Sequence, residues 1–513
     1  MEDSQPTAAA GRSTELAAII RGMSVALLGS VLGGGLGFAF GVIMARLLDQ
    51  SDFGLLVLAV TLLTTGAALT IAGADYAAIR HVAAARTAGA KRGAMVAPLR
   101  LVMMLNLFVA AAVAVFAQPI SRDLLGQPDF TPVLRAAALT LPLTVLAQMF
   151  SACLSGLERA SGELVRKIVE QGGRIALGVF AIALGFGVVG ATLSMAGAAA
   201  AAAVAVGYTL WRALPRGGVT DRTSGARAVF AFAWPQALAG VATQLWIVAA
   251  LVILSRSTDA KTVALFGAAF AISQLPHLVY NAFTYRFSPA IARLWHANEK
   301  EALDELLKSV TRWVAMFALP LYAVAIALPA PLLQIYGSEY RAAAGAVALM
   351  TIATLLNALA GPVERALIMT GFVRLEMATN VVATVLVVGV ALVLIPQYGL
   401  MGAAVSVLLY TIVRNVAKTY LLHRKVGMTA LSLALLRPLA AAAAASLLVA
   451  LLAEFTSLGF SLLGTALLAT LLIGTYGVLL LRFVGLSTAD RRTLRLAVRP
   501  SEFRTTMSDP PID

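Results

Sequence analysis

Four polar side chains in one apolar segment have the spacing of a single helix face. Gln274, His277, Asn281 and Tyr285 are separated by three, four and four residues, and Arg286 follows at once. This spacing places the first four on one side of a helix. Polar groups in an apolar helix are costly in lipid, so they are candidates for contact with a ligand or, alternatively, for hydrogen bonds between helices. Histidine titrates near neutral pH, so His277 is also a candidate for proton coupling.

Two arginines at the ends of apolar segments are candidates for binding an anion. A guanidinium group holds a carboxylate or a phosphate through two parallel hydrogen bonds. Arg46 could instead pair with Asp49 or Asp52 and order the turn that follows it. Arg46 and Arg256 lie at equivalent places in two similar stretches, ARLLDQSDFGLLVLAV (residues 45–60) and LSRSTDAKTVALFGAAFAISQL (residues 254–275).

A second charged pair is also repeated along the chain. Glu158 and Arg159 recur about 200 residues later as Glu364 and Arg365, each pair following an apolar segment. The two pairs are candidates for an inner gate, and solvated loop charges are an equally good interpretation.

Other charged residues in the apolar parts of the chain are expected near the membrane surfaces. Long basic side chains can extend to the interface, and we expect this of Arg414 and Lys418. Most acidic residues are predicted at the ends of apolar helices, as in the case of Asp75, Glu170 and Glu376.

The sequence lacks the common motifs of metal sites and of nucleotide-binding sites. The single cysteine, Cys153, excludes a disulfide framework and a four-cysteine metal site. The four histidines lack the HExxH spacing of zinc proteases, and no GxxxxGK[ST] nucleotide-binding motif occurs. We therefore predict no catalytic residue, no metal and no cofactor, and a protein that is not an enzyme.

The composition predicts an all-α polytopic membrane protein. Of the 513 residues, 60% are hydrophobic and 12% charged, against roughly 45–50% and about 25% in soluble domains. Apolar runs of about 20 residues, the length that crosses a bilayer, recur from end to end. The first run is too long for a signal peptide. We predict about fourteen transmembrane helices, at 23–45, 54–74, 95–117, 133–154, 166–186, 188–211, 229–254, 263–285, 311–332, 342–369, 376–396, 399–421, 433–453 and 459–482.

The distribution of Lys and Arg predicts the orientation and explains the net charge of +14. Basic residues collect in cytoplasmic loops, so the charge does not indicate nucleic-acid binding. With a cytoplasmic N-terminus, the connections predicted to face out are short and carry six of the 39 Lys and Arg residues, namely Arg46, Arg122, Arg135, Arg256, Lys261 and Arg341. Both termini are therefore predicted in the cytoplasm. Residues 296–310, in the inner connection before the ninth span, are expected to form a short surface helix.

An internal repeat divides the chain into two similar parts. The pair Phe53–Gly54 recurs as Phe266–Gly267, and GVVGATLSM is similar to YGLMGAAVSV. A unit of six helices, an even number, gives two parallel lobes related by an axis along the membrane normal. The predicted organisation is a tail at 1–22, an N-lobe at 23–211, a linker at 212–228, a C-lobe at 229–425, two further helices at 426–482 and a tail at 483–513.

Several stretches resemble one family of membrane transporters. ARLLDQSDFGLLVLAV, followed by GADYAAIRHVAAAR, and the later ERA and YGLMGAA are similar to polysaccharide-transporter flippases of the multidrug/oligosaccharidyl-lipid/polysaccharide exporter superfamily. The resemblance covers about residues 20–425. It implies two six-helix lobes around a central cavity, working by alternating access in the bacterial inner membrane.

The resemblance also implies a substrate class. Members of the family move polyprenyl-pyrophosphate-linked oligosaccharide repeat units to the outer leaflet for lipopolysaccharide or exopolysaccharide synthesis, so the expected partners are this anionic lipid, membrane lipids and the polysaccharide polymerase and chain-length machinery. Relatives flip the peptidoglycan precursor or export cationic drugs. The expected cavity residues are Arg46, Gln244, Arg256, Gln274, His277, Asn281, Tyr285 and Arg286.

Three other functions are less consistent with the sequence. A cation-coupled drug exporter needs carboxylates within its helices, whereas most acids here are predicted at helix ends. A membrane glycan polymerase or ligase needs a larger outer loop than any found here. A structural scaffold has no need of the polar face that begins at Gln274.

A ridge of small residues in the first span has two interpretations. Gly33, Gly37 and Gly41 either line the cavity or allow close packing of helices.

Overall fold

A computed structural model describes residues 32–71, 73–85, 87–157, 159, 161–214, 244–278, 280, 291–429, 433–456 and 461–484. All regular secondary structure in these ranges is helical. The longer helices are labelled α1 (Leu32–Leu47), α2 (Gln50–Ile71), α3 (Ala88–Val115), α4 (Phe130–Gly156), α5 (Ser161–Ala183), α6 (Gly187–Ala213), α7 (Gln244–Ser257), α8 (Ala260–Gln274), α9 (Lys300–Ala327), α10 (Ala344–Met369), α11 (Val373–Val426), α12 (Leu436–Phe455) and α13 (Leu462–Leu479).

The helices confirm an all-α polytopic membrane protein. Within the described ranges, nine helices are long and apolar enough to cross a membrane, and α1 and α7 are shorter apolar helices. Each of the predicted apolar segments overlaps one of the described helices. Large apolar side chains on their outer faces are exposed, as lipid contact requires; Phe108 is 72% exposed and Leu463 75%. The total of fourteen spans stays a prediction.

Glycines form the two shortest predicted turns. Between α5 and α6, Gly185 and Gly187 have left-handed φ values of 84° and 53°, which glycine adopts without steric cost. At the second turn α11 runs on through Gly399, whose φ of 53° and ψ of −124° are not helical. A Cβ on Gly402 would lie 2.2 Å from the carbonyl oxygen of Leu394. Eight residues of straight helix span about 12 Å, so the chain bends back sharply here.

The start of α9 differs from the sequence-based prediction. Residues 296–310 were expected to form a separate surface helix, but α9 begins at Lys300 and continues without interruption to Ala327. Its first turns carry the charged residues and its later turns the apolar ones. The apolar residues Leu303 and Leu307 are fully buried, and this packing favours one long helix over a helix lying on the membrane surface.

The described helices pack into two groups. In the first, α4, α5 and α6 pack together with α2 and α3, and in the second α8, α9, α10 and α11 pack together. The groups meet mainly where α2 crosses α8. At this crossing a Cβ on Gly54 would lie 1.9 Å from the Ala260 carbonyl oxygen, and one on Gly267 would lie 2.4 Å from a Val57 methyl group. The repeated glycine of each stretch therefore allows the close approach.

The last two helices pack on the second group. Helices α12 and α13 contact each other and α9. Their buried side chains, including Val449 and Leu472, join those of α9 in one apolar cluster. The Tyr476 hydroxyl donates a hydrogen bond to the Met316 carbonyl oxygen at 3.1 Å, so this polar group is satisfied within the cluster.

The N-terminus of α8 is capped by a carboxylate. Asp259 accepts hydrogen bonds from the Thr262 backbone N–H at 2.9 Å and from the Thr262 hydroxyl at 2.7 Å. The hydrogen bond from the Thr262 side chain lowers the pKa of the Asp259 carboxyl. The cap fixes the point where the chain leaves α7 and enters α8, next to Arg256.

Candidate functional site

A cavity of about 430 Å³ lies between the two groups of helices. It is formed by α1 and α2 on one side and by α7 and α8 on the other, with Tyr336 from the connection after α9. Most of its lining is apolar. The polar lining side chains are hydroxyls and carboxamides: Thr61, Thr64, Thr65, Gln244, Gln274 and Tyr336.

The chemistry of the cavity is that of neutral hydrogen bonding. Gln244 and Gln274 each offer two N–H donors and a carbonyl acceptor, and they come from α7 and α8, respectively. Among the described residues that line it, none is charged. Such a lining can bind hydroxyl-rich groups beside apolar surface, but it cannot neutralise an anion.

The three glycines of the α1 ridge, Gly33, Gly37 and Gly41, lie next to different residues. A Cβ on Gly33 would lie 2.7 Å from the Lys167 side chain of α5, and one on Gly37 would lie 3.6 Å from the Gln171 side chain. Gly37 and Gly41 also line the cavity. Close helix packing therefore accounts for Gly33, whereas Gly37 combines packing with a place in the cavity wall.

Aromatic side chains close one end of the cavity. The ring of Tyr336 lies 5.9 Å from that of Phe38 and 6.1 Å from that of Phe53, and Tyr340 packs against both Phe53 and Tyr336. This end carries the α1–α2, α3–α4, α7–α8 and α9–α10 connections. The distribution of Lys and Arg predicts that it faces out, and it is called the predicted outer end below.

Arg46 connects the two groups of helices beyond the aromatic end wall. Its Nε donates a hydrogen bond to the Ile335 carbonyl oxygen at 2.9 Å, and its Nη2 donates to that of Gln334. The side chain forms no ion pair with Asp49 or Asp52. The sequence-based alternative of a local pair is therefore wrong.

Arg256 makes the reverse connection at the same end. It donates a hydrogen bond from Nη1 to the Asp123 carbonyl oxygen in the α3–α4 connection. Beside it, the Ser255 hydroxyl donates to the Leu125 carbonyl oxygen at 2.8 Å, and the Gln127 carboxamide donates to the Ser255 carbonyl oxygen at 3.0 Å. Neither Arg46 nor Arg256 is among the residues that line the cavity.

The predicted polar face of the eighth span is divided by the structure. Gln274 ends α8 and lines the cavity, and a turn follows at residues 275–276. His277 lies against other aromatic groups, with Nδ1 3.4 Å from the Tyr322 hydroxyl and its ring 4.7 Å from that of Tyr280. Asn281, Tyr285 and Arg286 lie outside the described residues.

Lys418 corrects one sequence-based expectation. Its side chain was expected to extend to the interface, but the residue is 1% exposed. Its Nζ donates to Glu376 Oε1 at 2.8 Å and to Glu364 Oε2 at 2.9 Å. Asn380 Nδ2 also donates to Glu376 Oε1, at 2.7 Å. Arg414 likewise does not reach the interface: it is 8% exposed and donates to the side chain of Asn357.

A charged face on α5 corrects a second expectation. Glu170 was predicted at a helix end, but α5 begins at Ser161, so Glu170 lies within the helix and is 2% exposed. It pairs with Arg166, at 2.7 Å, and with Arg174. Arg166 also pairs with Glu163 at 2.7 Å. The spacing of three and four residues in ELVRKIVEQGGR was the signal that could have revealed this face.

The residues of the predicted inner gate have separate environments. Arg159 is exposed, and Glu158 lies outside the described residues. Glu364 forms the ion pair with Lys418, and Arg365 is partly buried. In the second group of helices, one member of the predicted gate therefore belongs to a buried ion-pair network instead of a solvated loop.

The fold of this chain is similar to that of several solved structures of transporters of the MOP superfamily. A lipid II flippase MurJ in an inward closed conformation has 13% sequence identity and a TM-score of 0.71, over 90% of this chain and 98% of that one. A multidrug resistance MATE family transporter, inward-facing, has 17% identity and a TM-score of 0.67 over 80% of this chain and 98% of that one. An outward-facing MATE family structure has 18% identity and a TM-score of 0.59, over 80% and 95%.

The sequence assigns the family within this class. Residues 19–295, more than half of the chain, match the family model described as "Polysaccharide biosynthesis protein". The chain belongs to that family, which confirms the resemblance found in the sequence. No curated protein sequence matches the chain.

Proposed function

We propose that the protein is a flippase that moves a polyprenyl-pyrophosphate-linked oligosaccharide across the bacterial inner membrane for lipopolysaccharide or exopolysaccharide synthesis. The observation that carries the proposal is the cavity between the two groups of helices, lined by neutral hydroxyls and carboxamides. Sugar hydroxyls both donate and accept hydrogen bonds, so Gln244 and Gln274 suit a saccharide better than an ion. Membership of the polysaccharide biosynthesis family supports the same substrate class.

The proposed mechanism is alternating access between two six-helix lobes. The lobes would be the predicted N-lobe and C-lobe, and the packing of the described helices into two groups supports this division. The saccharide would occupy the neutral part of the cavity and the pyrophosphate its predicted outer end, towards Arg46 and Arg256, while the polyprenyl tail would remain in lipid between the lobes. The aromatic closure at Tyr336 supports a state that is shut at the predicted outer end.

The remaining predictions on location and partners belong to this proposal. Both termini would be cytoplasmic, and the transported lipid would pass to polysaccharide polymerase and chain-length machinery outside the membrane. The described residues hold no group of three or more His, Cys, Asp or Glu side chains that could bind a metal ion.

Two other substrates remain as rivals. Because the fold is shared with a MurJ lipid II flippase, the peptidoglycan precursor is the closer rival. A cation-coupled drug exporter is less consistent with the buried acids: Glu170 pairs with arginines and Glu376 with Lys418, so neither is free to hold a cation. A membrane polymerase or ligase is the least consistent, since the chain belongs to a family that shares its fold with transporters.

A vesicle assay tests the substrate class. Purified protein is reconstituted with a labelled polyprenyl-pyrophosphate oligosaccharide, and the arrival of the label in the opposite leaflet is measured against lipid II and a cationic dye. We expect transport of the oligosaccharide lipid. Faster transport of lipid II or of the dye would overturn the assignment.

Variants of the cavity test the site in the same vesicles. Gln244→Leu and Gln274→Leu each leave polar groups of the substrate without hydrogen-bond partners, at a cost of about 1–3 kcal/mol, so transport should fall about fivefold or more. Thr140→Val is the control, because this buried hydroxyl donates only to the Ala136 carbonyl oxygen of its own helix. Equal transport by the two glutamine variants and the control would remove the cavity from the proposal.

A further inference from the structure

The contacts of Arg46 and Arg256 are related by the internal repeat. Arg46 ends α1 and donates to the connection after α9, whereas Arg256 ends α7 and donates to the connection after α3. α1 and α7 are the first helices of their lobes, and the two acceptor connections follow the third helix of each. In each lobe, an arginine at the end of the first helix therefore donates to the connection after the third helix of the other lobe.

Both arginines use neutral acceptors. The partners are main-chain carbonyl groups at Gln334, Ile335 and Asp123. Within the described part of the chain, neither arginine forms an ion pair with a carboxylate. Both side chains are exposed. A guanidinium has five N–H donors, so each retains donors for a further ligand.

The two contacts lie directly beyond the cavity. Gly41 of α1 and Leu251 of α7 line the cavity, and each precedes its arginine by five residues, about 7.5 Å of helix. Tyr336, which closes the cavity, directly follows the Ile335 acceptor. An anion at the outer end of the cavity would thus be within one or two helix turns of both guanidinium groups.

We propose that Arg46 and Arg256 form a double latch that holds the predicted outer end shut and that a pyrophosphate group opens. The inference rests on the proposed function for the identity of its ligand. A pyrophosphate is negatively charged and accepts two parallel hydrogen bonds from a guanidinium group, so it competes well against neutral carbonyl groups. Once the anion holds the guanidinium groups, the connections after α3 and α9 are released and the lobes separate.

The latch makes outward opening depend on the substrate. A ligand shifts a conformational equilibrium only through a difference in affinity between the two states. In the closed state the carbonyl oxygens occupy part of the N–H donors of each guanidinium group, and in the open state all of these donors are available to the anion. The pyrophosphate therefore binds the open state more tightly, and an empty carrier stays shut.

Distance measurements in the full-length protein test the latch. Asp129 and Ser338 are exposed and lie in the connections after α3 and after α9, one in each lobe. Spin labels at Asp129→Cys and Ser338→Cys report the separation of the lobes, and the single native cysteine, Cys153, is buried and does not compete for label. The probes are geranyl pyrophosphate and, without the anion, geraniol.

We expect geranyl pyrophosphate, but not geraniol, to shift the wild-type distances to longer values. Arg46→Ala and Arg256→Ala should show the long distances without a probe. Arg122→Ala is the matched control, an exposed arginine of the α3–α4 connection, and should behave as the wild type. If an alanine variant does not fold, Arg→Lys at the same position replaces it. Lysine keeps the positive charge but cannot form two parallel hydrogen bonds. The population with long distances should therefore be smaller than that expected for the alanine variant.

Two results would overturn the latch: wild-type distances in the Arg46 and Arg256 variants, or an equal response to geranyl pyrophosphate and geraniol. The vesicle assay separates this failure from that of the proposed function. Oligosaccharide transport with distances that do not respond to pyrophosphate contradicts the latch alone. A pyrophosphate response without oligosaccharide transport contradicts the proposed function alone.

Discussion

Lys418 is buried between two glutamates that come from different segments of the chain. Glu364 lies on α10, and Glu376 and Lys418 lie on either side of the bend at Gly399 in α11. A buried ion pair contributes little by itself, but removing one partner leaves an uncompensated charge. The ammonium group of Lys418 therefore connects α10 to both arms of α11. Without it, each buried carboxylate would lose its ion-pair partner.

We expect Lys418→Met to lower the free energy of unfolding by about 3–5 kcal/mol, because it leaves two carboxylates without their cation. Thermal unfolding of the purified protein in detergent measures the effect. Lys308→Met is the control: its pair with Asp304 is 40% exposed at the lysine, and the loss should be about 0.3–0.5 kcal/mol. Equal losses in the two variants would contradict a structural role for the buried network.

At the scale of helices, the crossing of α2 and α8 depends on Gly54. The carbonyl oxygen of Ala260 lies 1.9 Å from the position of a Cβ on this residue, which is too close for any side chain. Backbone atoms cannot move aside as a flexible side chain does. The crossing of α2 and α8 at the predicted outer end therefore requires a residue without a side chain at position 54.

Gly54→Ala should separate α2 from α8, at a cost of about 1–3 kcal/mol or more. The expected result is a lower unfolding temperature and longer distances between the labels at positions 129 and 338. Gly35→Ala provides the comparison, since a Cβ on Gly35 has no neighbour within 4 Å and alanine is the better helix former. A Gly54→Ala protein as stable and as closed as Gly35→Ala would show that the helices do not need this contact.

The helices were largely predictable from the sequence, and the buried pairs were not. Apolar runs and glycine turns follow from local sequence, so the segments overlap the observed helices. Gln274 was a candidate because of the spacing of polar residues along one helix face, and it lines the cavity together with Gln244. The partner of Lys418 depends on how α11 bends at Gly399 and on how α10 packs beside it, and neither is encoded locally.

At the scale of the whole molecule, the orientation rests on the distribution of basic residues. Labelling of single cysteines in intact cells by a membrane-impermeant maleimide tests it. Lys261→Cys, exposed at the start of α8, should react from outside, and Glu301→Cys, exposed at the start of α9, only after the cells are opened. The wild type, with only the buried Cys153, should remain unlabelled. The opposite pattern would invert the topology.

The acceptors of Arg46 and Arg256 are main-chain carbonyl groups, which every amino acid supplies. Tolerance to substitution should therefore be unequal across each contact. Exchanges at Asp123, Gln334 or Ile335 leave the oxygen in place, whereas the two guanidinium groups have no replacement among the other side chains. The amino acids at these three positions can therefore differ without loss of either contact, whereas the two arginines cannot be exchanged.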